Sequence, residues 1–373
     1  MIKKISLSSP NISKSDISTI INSLKSGWLT HGPNNNNFEK NFSNKIKVKY
    51  SISMNSCTSA LECALKVIPK KGEVIIPSWT WVSTANAVLN TGNKPVFADV
   101  DVNSRNLTAE EIKKKISKKT IAVIAVHFAG LPCEMGDIVK ICNKNKIELI
   151  EDSAETLGAK WKNKYTGSFG TGCFSFFPTK NITTTEGGML TTNSKIKYEK
   201  IKKFIEHGIN KNLKKHFWHR VAELPGHNFR LPNHLAALGD NQLKRLEMFN
   251  NKRRRIAKKY DIFLKKFPKF FEVQKVNLNF THSYQMYTFL VKKKLRNNLL
   301  YFMKKNKIEA SAHFDPPLHT QKYLKKFKNG SLPNTEKLSE QIVTLPIYPD
   351  LKLYEIKKII STINKWIKKN EKK

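Results

Sequence analysis

Apolar residues follow two rhythms along this chain. After Asp16, the residues Ile17, Ile20, Ile21 and Leu24 recur at helical spacing and Gly27 ends the run, which predicts a first amphipathic helix. Gly32 to Asn37 is rich in turn formers, and its four asparagines read as a solvated loop. From residue 50 onward short apolar runs predict buried strands at 74–77, 95–98, 121–126 and 147–150. Between them 80–90, 109–116 and 135–145 read as helices, the second opened by a capping-box pair, Thr108 and Glu111. Strands that alternate with helices imply parallel strands and crossover helices, an α/β sheet covered on both faces. Beyond Gly187 the rhythm changes to long basic helices over 234–264 and 354–369, with a strand at 286–291. The expected organisation is a large domain of residues 1–245 and a smaller α+β domain of residues 246–373.

Charge changes this picture little. The 373 residues carry 67 basic and 29 acidic side chains, a net +38, but 59 of the basic residues are lysines and only 8 are arginines. Arginine is the side chain that reads phosphate and guanine bidentately, so its scarcity speaks against nucleic acid as partner. The lysines come with abundant asparagine and isoleucine, as an AT-rich coding sequence would give. Five cysteines lie scattered without CxxC spacing, so no metal site and no disulfide framework is expected. The start of the chain lacks the apolar core of a signal peptide, and the longest buried-looking run, 121–126, is far too short to span a bilayer. A reduced, cytoplasmic setting without a membrane partner is the expectation.

Three segments place chemistry where an open α/β sheet binds ligands, at the carboxyl ends of its strands. Asn55-Ser56-Cys57-Thr58-Ser59-Ala60 follows a strand and opens a helix, the arrangement of a phosphate cradle or of an ordinary helix cap. Asp152 leaves the apolar run 147–150, either as a cap or as a carboxylate for a ring nitrogen. Lys180 follows the aromatic run Phe174-Ser175-Phe176-Phe177 inside a stretch almost free of charge. An amine desolvated there loses pKa and becomes nucleophilic.

Together these segments resemble the DegT/DnrJ/StrS family of sugar aminotransferases, pyridoxal-phosphate enzymes of fold type I. The likeness runs through SGWLTHGP (26–33), NSCTSALECAL (55–65), IIPSWTWVSTANAVL (75–89), PVFADVD (95–101) and VHFAGLPCEM (126–135). It continues through IEDSAETLGA (150–159), GCFSFFPTKNITTTEGGM (172–189) and GHNFRLPNHLAALGDNQLKRL (226–246). The resemblance implies a large domain with a mostly parallel central sheet between helices. It makes Lys180 the lysine that carries pyridoxal 5'-phosphate covalently and shuttles the proton, and Asp152 the acid on the pyridine nitrogen. Thr58, Ser59 and Ser175 fall at phosphate contacts and Trp81 at the residue stacked on the ring. Asn228 falls at a residue that reaches the phosphate from a neighbouring subunit, which implies a homodimer with shared active sites. Glu155 stands where many members have glutamine, a cofactor-facing position whose glutamate form resembles enzymes aminating 4-keto-6-deoxyhexoses. Thr30, His313, Phe314 and His319 fall where the family lines the sugar site. The phosphate loop departs from the commoner Asn-Gly-Thr form and keeps the Thr58 hydroxyl.

The implied reaction takes an amino group from a donor, glutamate, and gives it to the ketone of a nucleotide-linked sugar, for polysaccharide or a glycosylated small molecule. Three alternatives stand beside it: an aminotransferase of carbocyclic or aromatic precursors, a same-family sugar dehydratase, and a basic nucleic-acid-binding protein. Dehydratases of this kind replace the lysine, which is retained here as Lys180.

Overall fold

Ser13 starts the first helix, α1 (Lys14–Lys25), through a reciprocal cap: its hydroxyl accepts the Asp16 N–H and the Asp16 carboxylate accepts the Ser13 N–H. The computed structural model describes residues 4–210, 213 and 216–371. Helix α1 lies where the spacing predicts it, but its apolar stripe faces outward. Ile17, Ile21 and Leu24 are exposed, whereas Asp16 and Ser23 are buried. Polar contacts decide this orientation. Asp16 pairs with Arg245 and accepts from Asn241 and Gln242 at the end of helix α8, defined below.

The asparagine run is no loop. Pro33 occupies the first turn of α2 (Pro33–Ile46), where its missing N–H costs nothing. Asn35 is fully buried; its carboxamide accepts the Gly32 N–H at 2.9 Å and donates to Ser53 Oγ at 3.1 Å and to the Leu231 carbonyl at 2.9 Å. The apolar residues that seat the helix, Phe38, Phe42 and Ile46, come after the asparagines and pack with Phe174 and Phe176.

The four predicted strands are present, and others join them. In chain order the main body contains β1 (Tyr50–Met54), α3 (Cys57–Lys66), β2 (Glu73–Pro77), α4 (Val82–Asn90), β3 (Lys94–Ala98), α5 (Ala109–Lys113), β4 (Thr120–Val126), α6 (Met135–Lys144) and β5 (Glu148–Asp152). Two short strands, β6 (Lys160–Trp161) and β7 (Lys164–Tyr165), precede β8 (Thr171–Ser175), β9 (Gly188–Thr192), α7 (Lys195–Ile205) and α8 (Asn233–Leu243). A seven-stranded sheet runs β1-β9-β8-β5-β4-β2-β3; β9 alone is antiparallel to its neighbours. The carboxyl ends of β1, β2, β4, β5 and β8 therefore open at one edge of the sheet, with apolar clusters on both of its faces.

The helix expected over 234–264 is two helices, α8 and α9 (Leu246–Leu264). Arg245 breaks them with φ −104° and ψ 0° and turns its guanidinium to Asp16 and Asn11. Helix α9 then enters a second core with β10 (Phe271–Val273), β12 (Tyr287–Val291), α10 (Lys293–Lys305), β13 (Ile342–Leu345) and α12 (Leu353–Asn370). Strands β10, β12 and β13 form an antiparallel sheet; β11 (Phe280–Thr281) pairs instead with β6, and α11 (Pro333–Gln341) precedes β13. Ile5 belongs to this second core, exchanging backbone hydrogen bonds with Lys307 and Glu309. Among the described residues no helix is long and apolar enough to cross a membrane.

Candidate active site

The loops that leave β1, β2, β4, β5 and β8 surround a cavity of about 500 Å³, closed by Gln285-Met286 and His313-Phe314 from the chain beyond α9. Eight residues singled out in the sequence line it: Thr58, Trp81, Asp152, Glu155, Ser175, Lys180, His313 and Phe314. Four do not. Ser59 lies one step behind, its hydroxyl donating to Asn55 Oδ1 at 2.7 Å and its N–H capped by Ser56. His319 is buried behind the wall with Nδ1 at 2.7 Å from Ser78 Oγ. Thr30 is exposed away from the cavity, and Asn228 is exposed with its carboxamide oxygen accepting from Arg230.

One end of the cavity is built to meet an anion. Met54 ends β1 and Ser56 caps α3, accepting the Ser59 N–H on its hydroxyl and the Ala60 N–H on its carbonyl. The N–H groups of Cys57 and Thr58 are left without a partner among the described residues, as the first donors of a helix must be unless something binds there. Gly188 lets β9 lie against this turn: a Cβ there would stand 2.4 Å from the Ser56 carbonyl. The hydroxyls of Thr58 and Ser175 add two donors; Ser175 Oγ accepts the Phe177 N–H and keeps its proton free.

Carboxylates occupy another part. Asp152, last residue of β5, accepts from Thr84 Oγ1 at 2.9 Å and from the Ala154 N–H at 3.2 Å. Burial raises its pKa against the pull of these hydrogen bonds, of Lys180 and of His127, so a cationic group placed beside it would stabilise its charged form. Its neighbour Glu151 is fully buried and points to the other face of the strand. There it accepts N–H groups of Gly167, Phe169 and Gly170 at 2.7–2.9 Å and faces His127 Nε2 at 3.2 Å. This clamp fixes the strand end that presents Asp152.

Lys180 sits in the turn after Phe177, its side chain 16% exposed, with Nζ 3.7 Å from Glu155 Oε1. Glu155 Oε2 accepts the Ala129 N–H at 2.7 Å, and burial raises its pKa. Trp81 stands on the rim, 62% exposed, with its ring 6.3 Å from Phe314; the core tryptophan of this segment is Trp79. His313 joins Nδ1 to Thr344 Oγ1 at 2.9 Å, and burial together with Lys180 pushes its pKa down to about 4. Gln285 donates to the Thr179 carbonyl beside Lys180, and Glu186 lines the wall. Thr84, Glu151, Glu186 and Gln285 escape the sequence reading; Gln285 comes from more than a hundred residues beyond Lys180, and no local pattern marks it. No cluster of three or more His, Cys, Asp or Glu able to hold a metal occurs among the described residues.

This donor set suits pyridoxal 5'-phosphate: free N–H and O–H groups for a phosphate, a buried carboxylate for a ring nitrogen, and one sheltered amine. The chain as a whole resembles known proteins. Residues 10–364 match the model of the DegT/DnrJ/EryC1/StrS aminotransferase family. The spore coat polysaccharide biosynthesis protein SpsC of Bacillus subtilis is 33% identical, over 96% of each chain. Helicobacter pylori PseC, an aminotransferase involved in the biosynthesis of pseudoaminic acid, superposes with a TM-score of 0.92 at 31% identity, over 97% of this chain and 99% of that one. The PLP form of the putative sugar aminotransferase Spr1654 of Streptococcus pneumoniae gives a TM-score of 0.89 at 25% identity, over 96% and 97% of the two chains.

Proposed function

We propose, from the premise that this chain belongs to the DegT/DnrJ/EryC1/StrS aminotransferase family, that it moves an amino group from glutamate to the ketone of a nucleotide-linked sugar, a 4-keto-6-deoxyhexose. The chain is a PLP-dependent transaminase; the donor and the acceptor are the part proposed. When bound, the cofactor would supply an aldehyde carbon that takes up and returns the amino group and a ring that serves as electron sink. Lys180 would hold the cofactor through its amine and would move the proton between the reacting carbons. The Asp152 carboxylate holds the ring nitrogen in its protonated form. Thr58, Ser175 and the N–H groups that Ser56 and Ser59 leave free in the first turn of α3 hold the phosphate. Trp81 would stack on the ring, and Glu155, beside the Lys180 amine, would help to hold the cofactor.

Asn228 reaches the phosphate of a second copy in this reading, which makes the enzyme a homodimer. Two observations support that. Asn228 is exposed in the single chain, and Ile17, Ile21, Leu24, Trp28 and Leu29 leave an apolar face outside. The sugar is favoured because the wall formed by Trp81, Phe314 and neutral His313 offers ring-sized apolar surface with few charges. The product would feed a polysaccharide, as the name of SpsC indicates for that relative, and nucleotide-linked precursors would place the enzyme in the cytoplasm. Retention of Lys180 favours transamination over dehydration.

The single observation that carries the proposal is Lys180 between Asp152, Glu155 and the free donors of α3 in one cavity. A panel of 3-keto and 4-keto nucleotide sugars, assayed for glutamate-dependent amine formation, tests it. Amination of a cyclitol or aromatic ketone, with no sugar accepted, would overturn the choice of substrate.

A further inference from the structure

Between Lys180 and β9 the chain makes a turn that most sequences avoid. Thr185 is β-branched and yet adopts φ +67°, in the left-handed region. Hydroxyls hold it there. Thr183 Oγ1 donates to the Phe176 carbonyl at 2.8 Å and accepts the Thr185 N–H at 2.9 Å, while Thr184 Oγ1 donates to the Glu186 carbonyl at 2.7 Å. The next two positions leave no slack. A Cβ at Gly187 would stand 2.1 Å from Thr184 Oγ1, and one at Gly188 would meet Ser56.

The strained turn places Glu186, an exposed residue, among those that line the cavity. Strain held in place by several contacts beside an active site points to a use for what it presents. The other two carboxylates of the cavity are engaged: Asp152 by Thr84 and Ala154, Glu155 by Ala129 and Lys180. The carboxylate of Glu186, exposed to solvent, alone of the three has no hydrogen-bond or ion-pair partner among the described residues; only its backbone carbonyl is engaged, by Thr184.

We propose that Glu186 binds hydroxyl groups of the sugar ring and so selects a polyol ketone as amino acceptor. The inference rests on the keto-sugar reading above. A carboxylate is acceptor-only and takes two O–H donors at once, through charge-assisted bonds. It repels the phosphates of the nucleotide, and it repels glutamate, whose two carboxylates outweigh one ammonium. The hexose ring is the uncharged, hydroxyl-bearing part that also carries the reacting ketone, and it complements a carboxylate on the wall of the cavity that holds Lys180.

The cofactor's absorbance separates the two half-reactions. Glutamate alone converts the enzyme to its amino form, and keto sugar or 2-oxoglutarate alone returns it. With Glu186→Ala the sugar concentration for half-maximal return should rise at least about tenfold, as for the loss of one charge-assisted hydrogen bond. Return by 2-oxoglutarate, freed of a like charge, should need no more ketone than in wild type, and for the sugar Glu186→Gln, which keeps one acceptor oxygen, should fall between wild type and Glu186→Ala. Equal shifts for sugar and 2-oxoglutarate, or none for either, overturn the inference. So does a loss that tracks protein concentration with sugar saturation unchanged, because it assigns Glu186 to a contact between copies. Wild type that returns with 2-oxoglutarate and with no sugar overturns the substrate reading itself, a result distinct from any of these.

Discussion

Replacing Glu151 with glutamine would exchange one carboxylate oxygen for an NH₂ group in the centre of the sheet and test how the strand end bearing Asp152 is held. Oε1 of Glu151 accepts the N–H groups of Phe169 and Gly170; Oε2 accepts the Gly167 N–H and faces His127 Nε2. His127 Nδ1 accepts the Cys133 N–H, so its proton lies on Nε2, directed at the carboxylate. Glutamine has one acceptor oxygen, and whichever way its amide turns, an NH₂ group faces donors. Two charge-assisted hydrogen bonds are lost, about 1.5–3 kcal/mol each, or about 3–6 kcal/mol in all. At about 2.1 cal/mol/K per residue, this lowers Tm by about 4–8 °C if the chain unfolds as one unit. Differential scanning calorimetry of cofactor-loaded wild type and Glu151→Gln measures it. The variant should also release pyridoxal phosphate more readily on dialysis, since Asp152 is the next residue. A Tm drop below about 2 °C would refute the view that the clamp carries net stability rather than merely satisfying groups that water could satisfy as well.

Lys180→Ala should abolish the pyridoxyl adduct that borohydride fixes on the peptide containing residue 180, and should slow turnover at least about 100-fold; an adduct elsewhere sinks the assignment. Asn35→Ala removes three buried hydrogen bonds and should cost about 2–4 kcal/mol in urea unfolding, with α2 docked less firmly. Burial holds His313 down to about 4 and His282 down to about 3, so both favour the neutral imidazole in the folded protein. Their folded pKa values lie below the unfolded one, so this stability is complete above about pH 6.5 and is lost as the pH falls toward 4. Tm measured from pH 7 to pH 5 should therefore fall, and His313→Gln should flatten the slope by up to about 1.4 kcal/mol per pH unit; an unchanged slope contradicts the burial argument.

Strands β2 to β5 were legible because runs such as Val74-Ile75-Ile76 are buried on both faces and carry no competing signal. The same rule places Thr58, Asp152 and Lys180 at or just beyond strand ends from the sequence alone. Polar residues defeated it elsewhere. Asn35 reads as loop because nothing local reveals that its carboxamide joins α2 to β1 and to Leu231. The stripe of helix α1 reveals the helix but not which face is buried, since Asp16 turns inward to meet Arg245 while Ile17 and Ile21 are exposed. The break between α8 and α9 has the same cause: Arg245 gives up helical geometry at the position from which it reaches Asp16. Thr30 and His319 fall where the resemblance implies a sugar site but do not line the cavity, because likeness along the chain fixes position and not the direction of a side chain.

Ile5 carries a consequence for how this protein is made. It is buried in the second core, and its backbone partners are Lys307 and Glu309; Leu7 likewise accepts from Ile347. Those partners leave the ribosome some 300 residues later, about 15–60 s at ordinary translation speeds. For that time the first strap of the chain must wait undocked while β1 to β9 can already pair. A fusion added at the amino end is thus held next to α10, and a fragment starting at residue 246 would lack the strap that closes its own core.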